Sequence, residues 1–172
     1  MEALRAIETR RTVRDFEVKP VASEDVRRIL EAGRRAPSSM NEQRWDFVLC
    51  SDRDHLIALS RVGEYAGHLA GAAFGVALVV PVAEEVWKKE SLAFDLGQAA
   101  ENMMIAAWDL GIGSAHASVY DGQAARELLG YPLDYRCDTI LSFGYPSDPD
   151  VFKPPPSRGR KPLSEIVHTE RW

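Results

Sequence analysis

The 172-residue sequence has little of what several classes of protein require. It has only two cysteines, Cys50 and Cys137, each in an apolar, strand-like stretch, which excludes a disulfide framework and predicts buried thiols in a reducing compartment. Its longest apolar run, residues 69–83, contains Pro81 and is too short to span a membrane. The first residues include no apolar core of signal-peptide length. We therefore expect a cytoplasmic protein with no membrane partner.

The sequence also lacks a basic excess and the short motifs of several familiar enzyme sites. Its net charge is −5, whereas nucleic-acid-binding domains carry a clear basic excess, so we expect no nucleic-acid partner. It contains no nucleophile elbow, no metalloprotease helix motif and no Walker-type phosphate loop. The histidines show no metal-ligand spacing, so we interpret them as structural residues and expect no metal site. They are His55, His68, His116 and His168.

Length and composition are those of one folded domain. A chain of 172 residues, 45 % hydrophobic and 27 % charged, can bury a sizeable core without a disulfide or a metal. Strand-like and helix-like segments are mixed, but they do not alternate as regular β-α-β units. We predict an α+β fold with a central, mostly antiparallel sheet of at most five strands and helices on both faces. A sheet of this size leaves room for one more strand from a partner chain.

Hydrophobic periodicity places the individual elements. The predicted strands are 46–51, 74–80, 114–118 and 136–143. The predicted helices are 1–9, 24–35, 52–60, 64–70, about 90–110, 122–129 and 163–168. We expect Ser23 and Asp121 to cap the helices that follow them, Gly130 to end the second of these, and Leu4 and Ile7 to face inward. Three glycines spaced four residues apart predict close helix packing: Gly67, Gly71 and Gly75.

The most distinctive feature is a basic cluster at residues 10–14. Three guanidinium groups and one hydroxyl lie within five residues, directly after a predicted helix: Arg10, Arg11, Thr12 and Arg14. Arginine offers forked donors that match phosphate oxygens, and the threonine hydroxyl adds another donor. The cluster therefore suits a phosphate, with a solvated charged turn as the alternative that the sequence leaves open.

A second basic cluster lies near the other end of the chain and consists of Arg158, Arg160 and Lys161. It follows three consecutive prolines at 154–156, which predict extended polyproline II structure. We therefore expect the last twenty residues to leave the body of the domain as an arm. Because such an arm is stiff, the two basic clusters can converge on one dianionic group.

A polar loop at residues 36–45 joins a predicted helix to a buried strand. Hydrogen-bonding side chains are concentrated in it, namely Ser38, Ser39, Asn41 and Gln43. Such a loop suits the edge of a planar heterocycle that carries carbonyl and ring-nitrogen groups. A well-capped connector, with Trp45 as ordinary core, is the alternative.

Taken together and in this order, these segments resemble the FMN-dependent nitroreductase family over nearly the whole chain. The matching segments are RRTVRDF at 10–16, APSSMNEQRW at 36–45, DLGQAAENMM at 95–104, LGIGS at 110–114, FGYP at 143–146 and RGRKPL at 158–163. Two departures stand out. Arg44 replaces the proline that usually precedes the tryptophan, and the link at 81–89 is short, so the usual helical substrate lid is much reduced and Trp87 is a remnant wall or a surface anchor.

The resemblance implies an intertwined homodimer with FMN at the interface and active sites shared between the chains. Residues 1–152 would form the FMN-binding domain, and residues 153–172 an arm that wraps the partner and buries Trp172 there. The resemblance places these residues at the ribityl phosphate: Arg10, Arg11, Thr12, Arg14, Arg158, Arg160 and Lys161. It places these in contact with the flavin from the partner chain: Pro37, Ser38, Ser39, Met40 and Asn41. Ser118 and Val119 would bring backbone near flavin N5 and O4.

The implied activity is NAD(P)H-dependent reduction of a nitroaromatic, quinone or similar small acceptor by ping-pong two-electron transfer. NADH or NADPH would be the donor, and the chemistry would take place on the flavin, so no catalytic side chain is assigned. Two alternatives stay open. One is a specialised flavin reductase acting on an enoyl, aldehyde or halogenated compound, and the other is a flavin- or nucleotide-binding module without turnover.

Overall fold

The centre of the molecule is a four-stranded antiparallel sheet with the strand order β1-β2-β4-β3. A computed structural model describes residues 3–153 and 159–172. The strands are β1 (Asp46–Cys50), β2 (Phe74–Pro81), β3 (Gly113–Ser118) and β4 (Tyr135–Gly144). The helices are α1 (Ala3–Thr9), α2 (Ser23–Arg34), α3 (Arg53–Leu59), α4 (Val86–Asp109), α5 (Gly122–Leu129) and α6 (Leu163–Ile166). Short 3₁₀ turns occupy Ser39–Asn41, Gly67–Gly71 and Pro149–Phe152.

Helices cover both faces of the sheet, which confirms the predicted α+β architecture. Alternate residues of β2 point to opposite faces, so Val76 and Leu78 belong to one apolar core and Ala77 and Val79 to the other. The first core is closed by α2 and α4, and the second by α3 and α5. Within the described residues, no helix is both long and apolar enough to cross a membrane.

The two cysteines lie in the second core, as the sequence predicts. Burial disfavours the thiolate, and it raises the pKa of Cys50 to about 11 and the pKa of Cys137 to about 12. Both thiols therefore stay protonated near neutral pH and serve as small apolar core groups.

Some local predictions are confirmed and others are wrong. Asp121 accepts a hydrogen bond from the Ala124 amide at 2.9 Å, and Gly130 ends α5 with a left-handed φ of 73°, as predicted. Ser23 is not the cap of α2, because extended Ala22 takes that position and Ser23 is already helical. In α1 only Ala6 is buried, so Leu4 and Ile7 do not face the core of the chain.

A third, smaller apolar cluster forms around the indole of Trp108 near the end of α4. It contains Ala6 and Val13, with Val151 packed against it, so it joins the two ends of the chain to α4. The indole Nε1 donates a hydrogen bond to Thr9 Oγ1 at 3.0 Å, and the ring centroid lies 4.6 Å from that of Phe152. The segment after α1, residues 10–17, carries the first basic cluster, and we call it the basic segment. The Trp108 cluster fixes both this segment and the start of the C-terminal arm.

We predict that Trp108→Ala lowers the free energy of unfolding by about 3–5 kcal/mol, because it empties a fully buried aromatic site. Equilibrium denaturation monitored by circular dichroism measures the change. Leu133→Ala, at a residue that is 78 % exposed, is the control and should change the free energy by less than about 0.5 kcal/mol. Equal stabilities for the Trp108 variant and the wild type would contradict the structural role given to this cluster.

Candidate functional site

The basic segment runs beside the outer edge of β3. Thr12 forms a parallel bridge with Ser114, and the Val13 amide donates to the Ser114 carbonyl at 2.9 Å. A methyl group on Gly113 would lie 2.7 Å from Val13 Cβ, so only glycine permits this approach. Further along, the Glu17 amide donates to the Tyr145 carbonyl at 2.8 Å. The segment is therefore pinned at both ends before its side chains are considered.

Around Val13 the exposure of successive side chains alternates, as it does in extended backbone. Val13 is buried against the Trp108 cluster, whereas Thr12 and Arg14 are exposed. Arg10 is half-buried, and its Nε lies 2.8 Å from Glu101 Oε1 on α4. A carboxylate thus holds Arg10 in place while the segment presents its polar groups outward.

Arg11 connects the basic segment to the start of the arm. Its guanidinium donates to the Lys153 carbonyl, and its Nε is buried with no hydrogen-bond partner among the described residues. The arm therefore departs directly beside the first basic cluster. Arg160 and Lys161 are exposed on the described part of the arm, and the predicted phosphate ligand Arg158 lies outside the described residues.

The polar loop adopts an unusual backbone. Met40, Asn41 and Gln43 have φ values of 51°, 56° and 50°, a left-handed region that costs non-glycine residues about 1–3 kcal/mol each. Ser38 Oγ accepts a hydrogen bond from the Gln43 amide at 2.9 Å. The loop is thus a specified conformation rather than a simple connector. Of the predicted flavin contacts in it, Pro37, Met40 and Asn41 are exposed, and Ser38 and Ser39 are half-buried.

Asp95 of α4 anchors this loop, a role that the sequence did not reveal. The carboxylate is 4 % exposed and accepts the Ser39 amide hydrogen bond, with Oδ2 at 3.1 Å and Oδ1 at 3.3 Å. Arg44, the departure from the family pattern, lies with its Nε 2.6 Å from Glu42 Oε2. The Asp95 contact therefore holds the loop on the body of the domain, whereas the Arg44–Glu42 pair lies within the loop.

The third predicted contact lies at the end of β3. The Ser118 carbonyl faces Gly63, where an added Cβ would lie 2.1 Å from that oxygen. The Val119 amide donates to the Asp138 carbonyl at 3.0 Å, so this donor is engaged within the chain. Ser118 is exposed and Val119 is half-buried.

A cavity of about 690 Å³ opens beside Arg14. We call it the Arg14 pocket; its walls are Arg14, Asp15, Phe16, Tyr65, Gly67, His68, Gly71 and Ser147. The predicted helix packing at Gly67 and Gly71 is wrong, because a methyl group on either would meet only open space, and both glycines form the pocket wall. Sequence spacing alone did not single out His68 and Tyr65 as pocket residues.

A larger groove, of about 960 Å³, lies between α2 and the outer edge of β1. Its apolar floor includes Val26, Leu30, Trp45 and Phe47. In the described residues β1 pairs only with β2, so its other edge faces this groove. We call it the β1 groove. The described residues contain no group of three or more His, Cys, Asp or Glu placed to hold a metal ion.

Comparison with known proteins gives one consistent family. The model of the nitroreductase family matches residues 7–83 and 65–145. A protein of Archaeoglobus fulgidus, provisionally named an NADH dehydrogenase/NAD(P)H nitroreductase, is 32 % identical over 99 % of both chains.

Solved structures share the fold over the whole chain. A protein from Bacteroides thetaiotaomicron with the same provisional name is 25 % identical, covers 100 % of this chain and 99 % of its own, and superimposes with a TM-score of 0.85. The NADPH:FMN oxidoreductase of Vibrio harveyi, solved with NAD⁺, is 22 % identical, with a TM-score of 0.87 over 99 % of this chain and 77 % of its own.

We predict that Asp95→Ala lowers the free energy of unfolding by about 1–3 kcal/mol, because it leaves the Ser39 amide without its acceptor. Limited proteolysis should cut within residues 37–44 faster than in the wild type. Asp95→Asn keeps a carbonyl oxygen as an acceptor, so its free energy of unfolding should fall less. Asp134→Ala, at an exposed position, is the control. Wild-type protease resistance in Asp95→Ala would show that the carboxylate does not hold the loop.

Proposed function

The chain belongs to the nitroreductase family, and on that premise we propose that it is an FMN-dependent enzyme that uses NAD(P)H to reduce small nitroaromatic or quinone acceptors. At the general level it is an NAD(P)H-dependent oxidoreductase of this family. The observation that carries the proposal is the pinned basic segment, which holds several cationic and hydroxyl groups beside a pocket.

The groups beside the segment fit a phosphate. Arg11 Nε and Ser114 Oγ are buried polar atoms that have no hydrogen-bond partner among the described residues. An unpaired buried donor is unfavourable by about 1–3 kcal/mol, so a ligand that supplies an acceptor would relieve it. A dianionic phosphate supplies three acceptor oxygens and pairs well with guanidinium forks.

The cofactor is expected to lie along the segment. Arg10, Arg11 and Thr12 would hold the phosphate, with Arg160 and Lys161 of the arm, and Arg158, approaching it. Arg14 is four residues beyond Arg10, so it would lie nearer the ribityl chain and the ring. The end of β3, at Ser118 and Val119, would line the same side.

The polar loop would contact the flavin of the other chain. On α4, Asp95 anchors the loop and Glu101 holds Arg10. Glu101 lies six positions after Asp95 on the helix, which turns their side chains about 120° apart around the axis. Within one chain the loop and the basic segment therefore lie on different sides of α4. A two-fold pair of chains would let residues 37–41 of one face the segment of the other.

A homodimer also accounts for apolar surface that a single chain leaves open. Val86, Trp87 and Phe94 on α4 are more than 60 % exposed, and Trp172 on the arm is fully exposed. Large exposed apolar patches mark interaction surfaces. We propose that the domain comprises residues 1–152, and that residues 153–172 lie on the partner, in its β1 groove.

FMN held by Arg10, Arg11 and Thr12 would supply the redox chemistry, which is two-electron transfer from a nicotinamide to an acceptor. The chain would bind and orient the cofactor, and its cationic groups would favour the negative charge of the reduced form. Only residues 82–85 separate β2 from α4, so the described structure places no long lid over the site. An open site suits small planar acceptors. We therefore propose nitroaromatics and quinones as acceptors, rather than one specialised substrate.

The direct test is to purify the full chain and measure flavin absorbance, then add NADH or NADPH without oxygen. Bleaching of bound flavin, followed by its reoxidation with nitro or quinone acceptors, would support the proposal. A protein that neither carries nor takes up FMN would overturn it. Flavin that binds but is never reduced would favour a binding module instead.

We predict that Arg10→Ala weakens FMN binding about ten-fold or more, because it removes a charge-assisted hydrogen bond of roughly 1.5–3 kcal/mol. Fluorescence titration of FMN measures the dissociation constant. Glu101→Gln keeps an acceptor for Arg10 while removing a competing negative charge, so its affinity should hold or rise. Arg5→Ala, on the exposed side of α1, is the control. Equal FMN affinity for Arg10→Ala and Arg5→Ala would count against the phosphate assignment.

We predict that truncation after Lys153 yields a monomer in sedimentation velocity. The cut preserves the Phe152 ring on Trp108 and the Lys153 carbonyl that Arg11 binds, so the domain should stay folded. The full-length double variant Arg160→Ala/Lys161→Ala should stay dimeric and lose only FMN affinity. A truncated protein that still sediments as a stable dimer would refute the role of the arm.

A further inference from the structure

His68 is a buried histidine with one committed and one uncommitted ring nitrogen. The residue is 8 % exposed and lies in the 3₁₀ turn before β2. Its Nδ1 is 2.7 Å from Ser142 Oγ of β4. Its Nε2 is buried and has no hydrogen-bond partner among the described residues, although the ring is part of the Arg14 pocket wall.

The surroundings keep the ring uncharged. Burial lowers the pKa of His68, the positive charge of Arg14 lowers it further, and the His116 backbone offsets this only in part. A neutral imidazole is a poor partner for a phosphate but a good one for an uncharged polar edge. Phe16 and Tyr65 in the same pocket provide aromatic surface for a flat ring.

Ser142 lets the ring act as either donor or acceptor. Its hydroxyl also lies within hydrogen-bond distance of the Ala115 carbonyl, at 3.4 Å. When the hydroxyl donates to Ala115, it accepts from Nδ1–H, and Nε2 is then an acceptor. When it donates to Nδ1, the proton is on Nε2, which becomes a donor. Rotation of one buried hydroxyl thus matches the imidazole to a ligand group of either polarity.

We propose that His68 is a ligand-binding residue of this pocket, whose Nε2 hydrogen-bonds to the polar edge of the flavin ring while Arg14 lies at the same end. The inference rests on the proposed function, because it takes the ligand to be FMN. It places the ring at the Arg14 end of the segment, and the phosphate at the Arg10 end. Arg10 and His68 would therefore contact two different parts of one ligand, the phosphate and the flavin ring.

Comparison of FMN with riboflavin, which has the ring but no phosphate, tests this placement. His68→Leu is expected to weaken both ligands by the same factor, about ten-fold. Arg10→Ala is expected to weaken FMN alone. His68→Gln retains a polar group and should bind within about three-fold of the wild type, and it serves if the leucine variant does not fold.

The matched control is His55→Leu. His55 is half-buried, and its Nε2, like that of His68, has no partner in the described part of the chain, but it lies on α3 and outside the Arg14 pocket wall. Its FMN and riboflavin affinities should equal those of the wild type. Thermal melting of each variant separates lost stability from lost binding.

The outcomes distinguish the two levels of the argument. A parallel loss of FMN and riboflavin affinity in His68→Leu, at wild-type melting temperature, supports the role of His68. Wild-type affinity in His68→Leu, or a loss confined to FMN, overturns it and leaves the proposed function standing. A wild-type protein that binds neither ligand overturns the proposed function and this inference with it.

Discussion

The indole of Trp108 is the contact on which the arrangement of the site depends. It packs against Ala6 and Val13 and hydrogen-bonds to Thr9, so α1 and the basic segment are fixed to α4 through apolar contacts. Three arginines within five residues repel one another, and a solvated turn would let them spread. Burial of Val13 beside Gly113 holds their backbone in place instead. Apolar packing thus gives the segment the order that its charges alone would oppose.

The same cluster ties the segment to the arm. Phe152 stacks near Trp108, and Arg11 binds the carbonyl of Lys153. On the proposed function, a single chain would leave the site incomplete, because Asp95 and Glu101 hold the loop and the segment on different sides of α4. In residues 3–153 and 159–172, β1 has one unpaired edge, and apolar residues on α4 and the arm are exposed. The proposed homodimer would account for these features together.

Much of the fold could be predicted from sequence because its signals are local. The apolar run of β2, the cap at Asp121 and the left-handed Gly130 each depend on a few neighbouring residues. The prediction that Leu4 and Ile7 face inward was wrong. The buried residue of α1 is Ala6, which packs against an indole that lies about a hundred positions away in the chain. The basic segment and the polar loop were found from their unusual composition. Composition did not reveal Asp95 and His68, because each is distinguished by a partner in a distant element. The partner of Asp95 is Ser39, and the partner of His68 is Ser142.

The central claim is that the pinned basic segment binds the phosphate of FMN. The most direct measurement is the ratio of the riboflavin and FMN dissociation constants for the wild-type protein at low ionic strength. Charge-assisted hydrogen bonds contribute roughly 1.5–3 kcal/mol each, so two or more of them predict that FMN binds at least about 100-fold more tightly. Equal affinities for the two ligands would show that the phosphate is not held, and would contradict the account.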